Sequence, residues 1–278
     1  MCVTFLCTDG IERGLPFKLI LINNRDEMLE RPTSESRWED GYLAGRDEFA
    51  AERGTWLGIT KDGRIGNILS ITEPLNKAKK PDAPSRGAIA KNFLTGNKGV
   101  EEFGEELVRN AEKYHGFHFV GLQLNAARFF DVYCLTNRLV PEIKLHKWPK
   151  GLYGFGNSPR SSQMQKVVRG EKLFEEIVGN LHGKNEDEVM ESLMTVLKDT
   201  KKVYPCKQYE IQTETPFDFY QHLTSLFVRF PPNVIKYGTR CHTIILIDKD
   251  DRVTFKETRL VDVVNEKWQT NIHTFTLQ

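Results

Sequence analysis

Met1-Cys2-Val3-Thr4-Phe5-Leu6-Cys7-Thr8 opens the chain, and Phe17-Lys18-Leu19-Ile20-Leu21-Ile22-Asn23-Asn24 follows a polar stretch that carries Gly10 and Gly14. Two runs rich in aliphatic, β-branched and aromatic residues, separated by glycines, predict an antiparallel hairpin. Its first strand starts beside a cysteine. Removal of the initiator methionine, which a small second residue generally permits, would leave a thiol and a free α-amine on one carbon of Cys2. Such a residue is a minimal nucleophile-plus-base unit, because a thiol attacks as its thiolate and an amine titrating near neutrality can take its proton.

The rest of the chain continues the β pattern around a helical middle. Strands are expected over 54–60 and 64–70 around the turn Lys61-Asp62-Gly63, and over 116–124 and 129–135 around Asn125-Ala126-Ala127-Arg128. A loop over 73–86, rich in Pro, Lys and Ala, leads to helices near 87–94 and 100–114. Further helices are expected over 162–179, where Val168, Leu173 and Ile177 share a face, and over 187–197, where Val189, Leu193, Val196 and Leu197 do. Strands return over 225–230, 241–248, 253–258 and 273–277. Strand blocks at both ends with helices grouped between them predict an α+β fold with helices packed on antiparallel sheets. No repeat or linker divides it, so residues 1–278 read as a single domain.

Composition narrows the function classes. The 39 basic residues nearly balance 38 acidic ones, which gives no global field and no support for a nucleic-acid partner. No uninterrupted apolar run approaches the roughly 20 residues of a spanning helix, and the amino terminus lacks the basic segment and long apolar core of a signal peptide. A cytoplasmic chain, or one attached peripherally to an organelle, is the expectation. Cys2, Cys7, Cys134, Cys206 and Cys241 are scattered, with no CxxC pair. Reduced thiols follow, and both the commonest zinc pattern and the CxxCH haem attachment are excluded; no metal site is expected.

Asn23-Asn24-Arg25-Asp26-Glu27 crowds three ionisable groups and two amides where an apolar strand meets a loop. Side chains alternate along a strand, so Arg25 shares a face with Asn23 and Glu27 while Asp26 points with Asn24. This motif, with Met1-Cys2, Gly54-Thr55-Trp56-Leu57-Gly58, Tyr153-Gly154-Phe155-Gly156-Asn157-Ser158, Tyr237-Gly238-Thr239-Arg240 and the terminal Thr274-Phe275-Thr276-Leu277-Gln278, resembles the NRDE family. The resemblance spans nearly the whole chain and rests on the order of the motifs.

The resemblance implies an αββα sandwich of two antiparallel sheets flanked by helices, similar to N-terminal-nucleophile hydrolases, with Cys2 delivered into a cleft between the sheets. Among the catalytic roles it implies, Cys2 is the nucleophile, Arg25 stabilises its thiolate, Asn157 donates to the oxyanion and Arg240 positions or polarises the site. Such hydrolases place an acid three residues after the arginine. Here Met28 stands at that position, and Asp26 and Glu27 carry the acids. An N-terminal cysteine amidohydrolase acting on an amide or acyl substrate is therefore one reading.

The resemblance also implies haem trafficking, in which a haem chaperone mobilises haem as transient cargo from storage or production compartments to haem-accepting proteins. It extends the expected localisation to mitochondria, Golgi and lysosome-related organelles. Cys2, Cys7, His115, His118, Cys241, His242 and the methionines are chemically suitable iron ligands. A flat ring with two carboxylates suits a cleft walled by Trp56, Tyr153 and Phe155 with Arg25 and Arg240 at its mouth. A third reading is a lipid or acyl-thioester binder, with Lys77, Lys79 and Lys80 meeting an acyl lipid or an organelle membrane surface. Cys7 and Cys134 lie in apolar strands and read as small core residues. His118, between Phe117 and Phe119, is expected to face outward or into a polar interface. Cys241 and His242 diverge as strand neighbours and do not serve one atom.

Overall fold

The computed structural model describes residues 2–74 and 82–278, so the Lys77, Lys79 and Lys80 group lies outside the described residues, as does Met1. The opening hairpin is β1 (Val3–Cys7) and β2 (Phe17–Met28), antiparallel with Thr4 opposite Asn23 and Leu6 opposite Leu21. β3 (Thr33–Glu39), β4 (Tyr42–Asp47), β5 (Leu57–Thr60) and β6 (Arg64–Ser70) follow, then α1 (Gly87–Thr95) and α2 (Val100–Asn110). Next come β7 (Phe117–Leu124), β8 (Phe130–Thr136), β9 (Leu145–Trp148), β10 (Leu152–Phe155), α3 (Gln165–Gly179), α4 (Glu186–Leu197), α5 (Lys207–Thr213) and α6 (Phe217–Tyr220). The chain ends in β11 (Tyr237–Asp248), β12 (Arg252–Asp262) and β13 (Lys267–Thr276).

Among the described residues the strands form two antiparallel sheets, ordered β10-β1-β2-β11-β12-β13 and β3-β4-β5-β6-β7-β8-β9. Alternation along the strands assigns the layers. Leu6, Leu19, Leu21, Ile245 and Ile247 face Leu57, Ile59, Ile65, Val120 and Leu122 across the space between the sheets. The opposite face of the six-stranded sheet, through Val3, Phe5, Ile20, Ile22, Ile244 and Leu246, packs on Val167 and Phe174 of α3 and Leu193 and Leu197 of α4. Tyr42, Phe117, Phe119 and Leu135 of the other sheet are covered by Ile89, Phe93 and Leu94 of α1 and Leu107 of α2. The inner strands are thus buried on both faces, which is why Leu19-Ile20-Leu21-Ile22 reads as a continuous apolar run. At about 25 cal/mol per Å² of apolar surface removed from water, these three clusters are the main favourable contribution to folding. α4 carries a complete capping box, in which Asn185 accepts from the Glu188 amide and the Glu188 carboxylate accepts from the Asn185 amide. The αββα expectation holds.

Local readings differ from the structure in places. Residues 225–230 form no strand; the Val228 amide donates to Thr239 Oγ1 at 2.8 Å, and an isolated bridge joins Arg229 to Gly238. β11 begins at Tyr237 instead, and β12 and β13 are a long hairpin that starts well before residue 273. β3, β4, β9, β10, α5 and α6 went unread. His118 is 2% exposed and faces between the sheets, because Phe117 and Phe119 lie under α1 and α2; both faces of β7 are covered, and no outward face remains for it.

Candidate functional site

Cys2 immediately precedes β1 and packs with the inter-sheet cluster, half-buried, so the amino-terminal strand brings a thiol to the end of the space between the sheets. A cavity of about 460 Å³ opens there, lined by Cys2, Arg25, Asp26, Trp56, Arg86 and His115 together with Glu27, Arg31, Asp47, Phe49 and Ser70. That volume is within the usual range of small-molecule sites, roughly 300 to 1,000 Å³.

Arg25 leaves β2 on the inter-sheet face and lies over the Trp56 ring, with its guanidinium carbon 4.4 Å from the ring centroid. Its Nη2 is 3.7 Å from Asp47 Oδ2 and 3.9 Å from Glu27 Oε2. Arg31 grips the same Asp47 carboxylate through Nε and Nη2, at 3.1 and 2.8 Å, and stacks on Phe49. Arg86 donates to the Gly116 carbonyl at 3.0 Å, and burial holds its pKa below the usual guanidinium value. Three guanidinium groups and an indole face therefore line one cavity with a thiol and an imidazole.

The Gly54-Thr55-Trp56-Leu57-Gly58 motif acquires a physical reason. A Cβ on Gly54 would sit 2.3 Å from the carbonyl carbon of Gly87, so the absence of a side chain lets β5 approach the start of α1. Thr55 Oγ1 donates to the Gly45 carbonyl at 2.8 Å, which fixes the strand entry and presents Trp56 beneath Arg25.

Asp26 points to the opposite face of β2, as alternation requires. Its Oδ1 accepts from Thr239 Oγ1 at 2.6 Å, and its Oδ2 lies 3.9 Å from Lys166 Nζ of α3, with both side chains fully buried. Burial raises the Asp26 pKa and lowers that of Lys166. Cys2 Sγ is 3.8 Å from the Asp26 carbonyl oxygen.

The remaining candidates are elsewhere. Asn157 is fully buried and its amide donates to the Ser70 carbonyl at 2.7 Å, tying the end of β10 to the end of β6. That bond uses one of its two amide hydrogens, and its acceptor Ser70 lines the cavity. Arg240 is the extra residue of a β-bulge between Thr239 and Cys241, and the bulge turns its guanidinium onto the carbonyls of Met28, at 3.0 Å, and Arg31. Burial pulls its pKa down to about 10, reinforced by the charge of Arg25. It pins the β2–β3 turn and does not line the cavity. Tyr153 pairs with Leu6, farther along β1, and donates to the Pro149 carbonyl at 2.8 Å, also away from the cavity.

The proposed iron donors separate in the same way. Cys7, His118, Cys241 and His242 are at most 2% exposed and lie off this cavity, whereas Cys2 and His115 line it. Burial pushes the Cys7 thiol up to about 12 and holds the His118 imidazole down at about 4. Among the described residues no cluster of three or more His, Cys, Asp or Glu could hold a metal ion. Sequence reading missed Arg31, Asp47 and Arg86. Asp47 closes an unread strand, and Arg86 ends a loop that carries no periodic signal.

Two face-to-face antiparallel sheets, helices on both outer faces and a cysteine leading an inner strand into the cleft define the N-terminal-nucleophile-hydrolase fold. A solved C2A mutant of the conjugated bile acid hydrolase from Clostridium perfringens has this architecture, matching 100% of this chain and 97% of its own with a TM-score of 0.51 at 8% identity. At that identity the likeness is one of fold. Within it, the chain belongs to the Transport and Golgi organisation 2 family, whose model matches residues 1–262. It is 31% identical to the mouse Transport and Golgi organization 2 homolog and 31% identical to the human homolog, with 100% of both chains covered in each case. To the Drosophila melanogaster Transport and Golgi organization protein 2 it is 32% identical over 92% of this chain and 91% of the fly protein.

Proposed function

We propose that the chain is a haem carrier that holds haem transiently in the cavity beside Cys2 and passes it to haem-accepting proteins in the cytoplasm. One observation carries the reading: a half-buried thiol and an imidazole, Cys2 and His115, line the same cavity as the flat face of Trp56 and the guanidinium groups of Arg25, Arg31 and Arg86. Soft sulfur or imidazole nitrogen is suited to iron, an aromatic wall to the macrocycle, and guanidinium to carboxylate. Collection of haem at mitochondria, Golgi or lysosome-related organelles belongs to the same proposal. Peripheral contact with those organelles is part of the proposal; among the described residues no helix is long and apolar enough to cross a membrane.

Titration of purified protein with ferric haem tests it. A saturable Soret change that Cys2→Ala or His115→Ala weakens, and transfer to apomyoglobin faster than free haem dissociation allows, are expected. Absence of a saturable change, or transfer that the protein does not alter, overturns the proposal.

The placement of Cys2 between the sheets favours a second reading, an N-terminal cysteine amidohydrolase. Intact mass of protein from its natural cell decides the first requirement, because a retained Met1 leaves Cys2 without a free amine. Competition of an acyl-thioester with haem tests whether a lipid shares the cavity.

A further inference from the structure

On the helix side of the six-stranded sheet, away from the Cys2 cavity, Asn24 of β2 stands beside His242 of β11. The Asn24 amide nitrogen donates to the carbonyl oxygens of Leu197 and Leu226, at 2.8 and 2.9 Å. Carbonyls only accept, so both amide hydrogens are used there and the Asn24 Oδ1 is left as an acceptor. His242 Nδ1 lies 2.6 Å from that oxygen and must therefore carry the hydrogen. Burial, reinforced by Lys198, holds the His242 pKa at about 3, so the ring is neutral at neutral pH. A neutral imidazole with hydrogen on Nδ1 presents a bare lone pair on Nε2. That nitrogen is buried and has no hydrogen-bond partner among the described residues, on a residue 1% exposed.

His242 forms the floor of a surface cavity of about 340 Å³ whose walls are Phe227 and Trp268 and whose rim is Lys198, Thr200 and Thr258. His242 stacks beside Trp268 at 5.0 Å and 19° and beside Phe227 at 5.8 Å and 26°, while Phe227 and Trp268 are 6.3 Å apart and tilted by 45°. Lys198 is exposed, Arg229 lies over Phe227 at 5.5 Å, and among the described residues no carboxylate lines the cavity. An oriented acceptor, aromatic walls and a cationic rim together select a ligand.

We propose that this slot binds a planar aromatic anion carrying a hydrogen-bond donor, with its ring against Trp268 and Phe227, its N–H or O–H on His242 Nε2 and its negative group near Lys198. The site is separate from the Cys2 cavity, and its occupation does not require that cavity to be filled.

The test is nitrogen-detected NMR of the full chain labelled with ¹⁵N-histidine at neutral pH, with His242→Phe used to assign the ring. The free protein should show His242 Nε2 at the shift of an unprotonated nitrogen. Addition of 4-hydroxybenzoate should move that signal saturably, and benzoate, which lacks the hydroxyl, should bind about five-fold more weakly, the difference one ordinary hydrogen bond makes. Lys198→Ala should weaken both acids, and a folded His242→Phe protein should lose the preference between them. A hydrogen on Nε2 in the free protein, no saturable shift at millimolar 4-hydroxybenzoate, or equal affinity for the two acids overturns the proposal.

Discussion

Gly54→Ala should destabilise the protein far more than a single added methyl suggests. The new Cβ would stand 2.3 Å from the Gly87 carbonyl carbon, 2.6 Å from its oxygen and 2.8 Å from the Ala88 nitrogen, all backbone atoms that cannot rotate away. Ordinary contact begins at 3.4 Å, so the start of α1 must retreat from β5 by 3.4 minus 2.3, or 1.1 Å. Overpacking of this kind costs about 2 kcal/mol. The same movement breaks the hydrogen bond from the Thr55 amide to the Gly87 carbonyl, now 3.2 Å, which adds about 1 kcal/mol. Urea unfolding followed by far-UV circular dichroism measures the sum. With a slope near 2.5 kcal/mol per molar, a typical value for a chain of this size, the midpoint should fall by about 1 M. Gly179→Ala is the matched control. Among the described residues nothing lies within 4 Å of its added Cβ, and it closes α3, so it should be neutral or stabilising by about 0.5 kcal/mol. If Gly54→Ala unfolds within about 0.5 kcal/mol of the parent, close backbone approach is not the reason for this glycine.

Other expectations are equally direct. Lys166→Met should cost about 3 kcal/mol by removing a cation beside the buried Asp26 carboxyl, and adding Asp26→Asn should restore more than half; additive losses in a double-mutant cycle would refute the coupling. His118 and His242 have folded pKa values of about 4 and 3, below the ordinary 6.5. The unfolded chain therefore binds more protons between these values, and stability should be full above pH 6.5 and fall as the pH drops toward 4, each ring contributing up to about 1.4 kcal/mol per pH unit. His118→Phe should flatten that slope, and an unchanged slope in denaturation curves would count against it.

Sequence legibility followed burial. Apolar runs such as Leu19 to Ile22 and Ile244 to Ile247 announced the inner strands, because their surroundings leave little choice but an extended, doubly covered conformation. β3 and β4 escaped because their charges hide the period: Arg46 is buried yet satisfied by the carbonyls of Ala44 and Glu39, and Arg37 and Arg53 pair with Glu39. A signal was present nonetheless. Asp40 and Gly41 both have positive φ, 55° and 82°, the pattern of a two-residue hairpin turn that an Asp-Gly pair announces. Residues 225–230 misled in the other direction, since Leu226, Val228 and Phe230 are apolar for the sake of the α3–α4 layer, without a ladder partner along their length.

The site was legible in its alternation and illegible in its bends. Arg25 and Asp26 diverge from β2 as period two requires, and Cys2, Arg25 and Trp56 line one cavity. Arg240 does not, because a bulge shifts the frame by one residue and no local composition marks it. Asn157 and Tyr153 are likewise directed by backbone partners that only the folded chain supplies.

The cysteine distribution makes the native protein a natural single-label substrate. Cys7, Cys134, Cys206 and Cys241 are buried, and only Cys2 is accessible. A maleimide dye should therefore mark the cavity at one atom without any cysteine being engineered away, while unfolding makes all five thiols available. The ratio of fast to total labelling would count folded molecules, and its protection by an added ligand would report occupancy of the cavity from the same reaction.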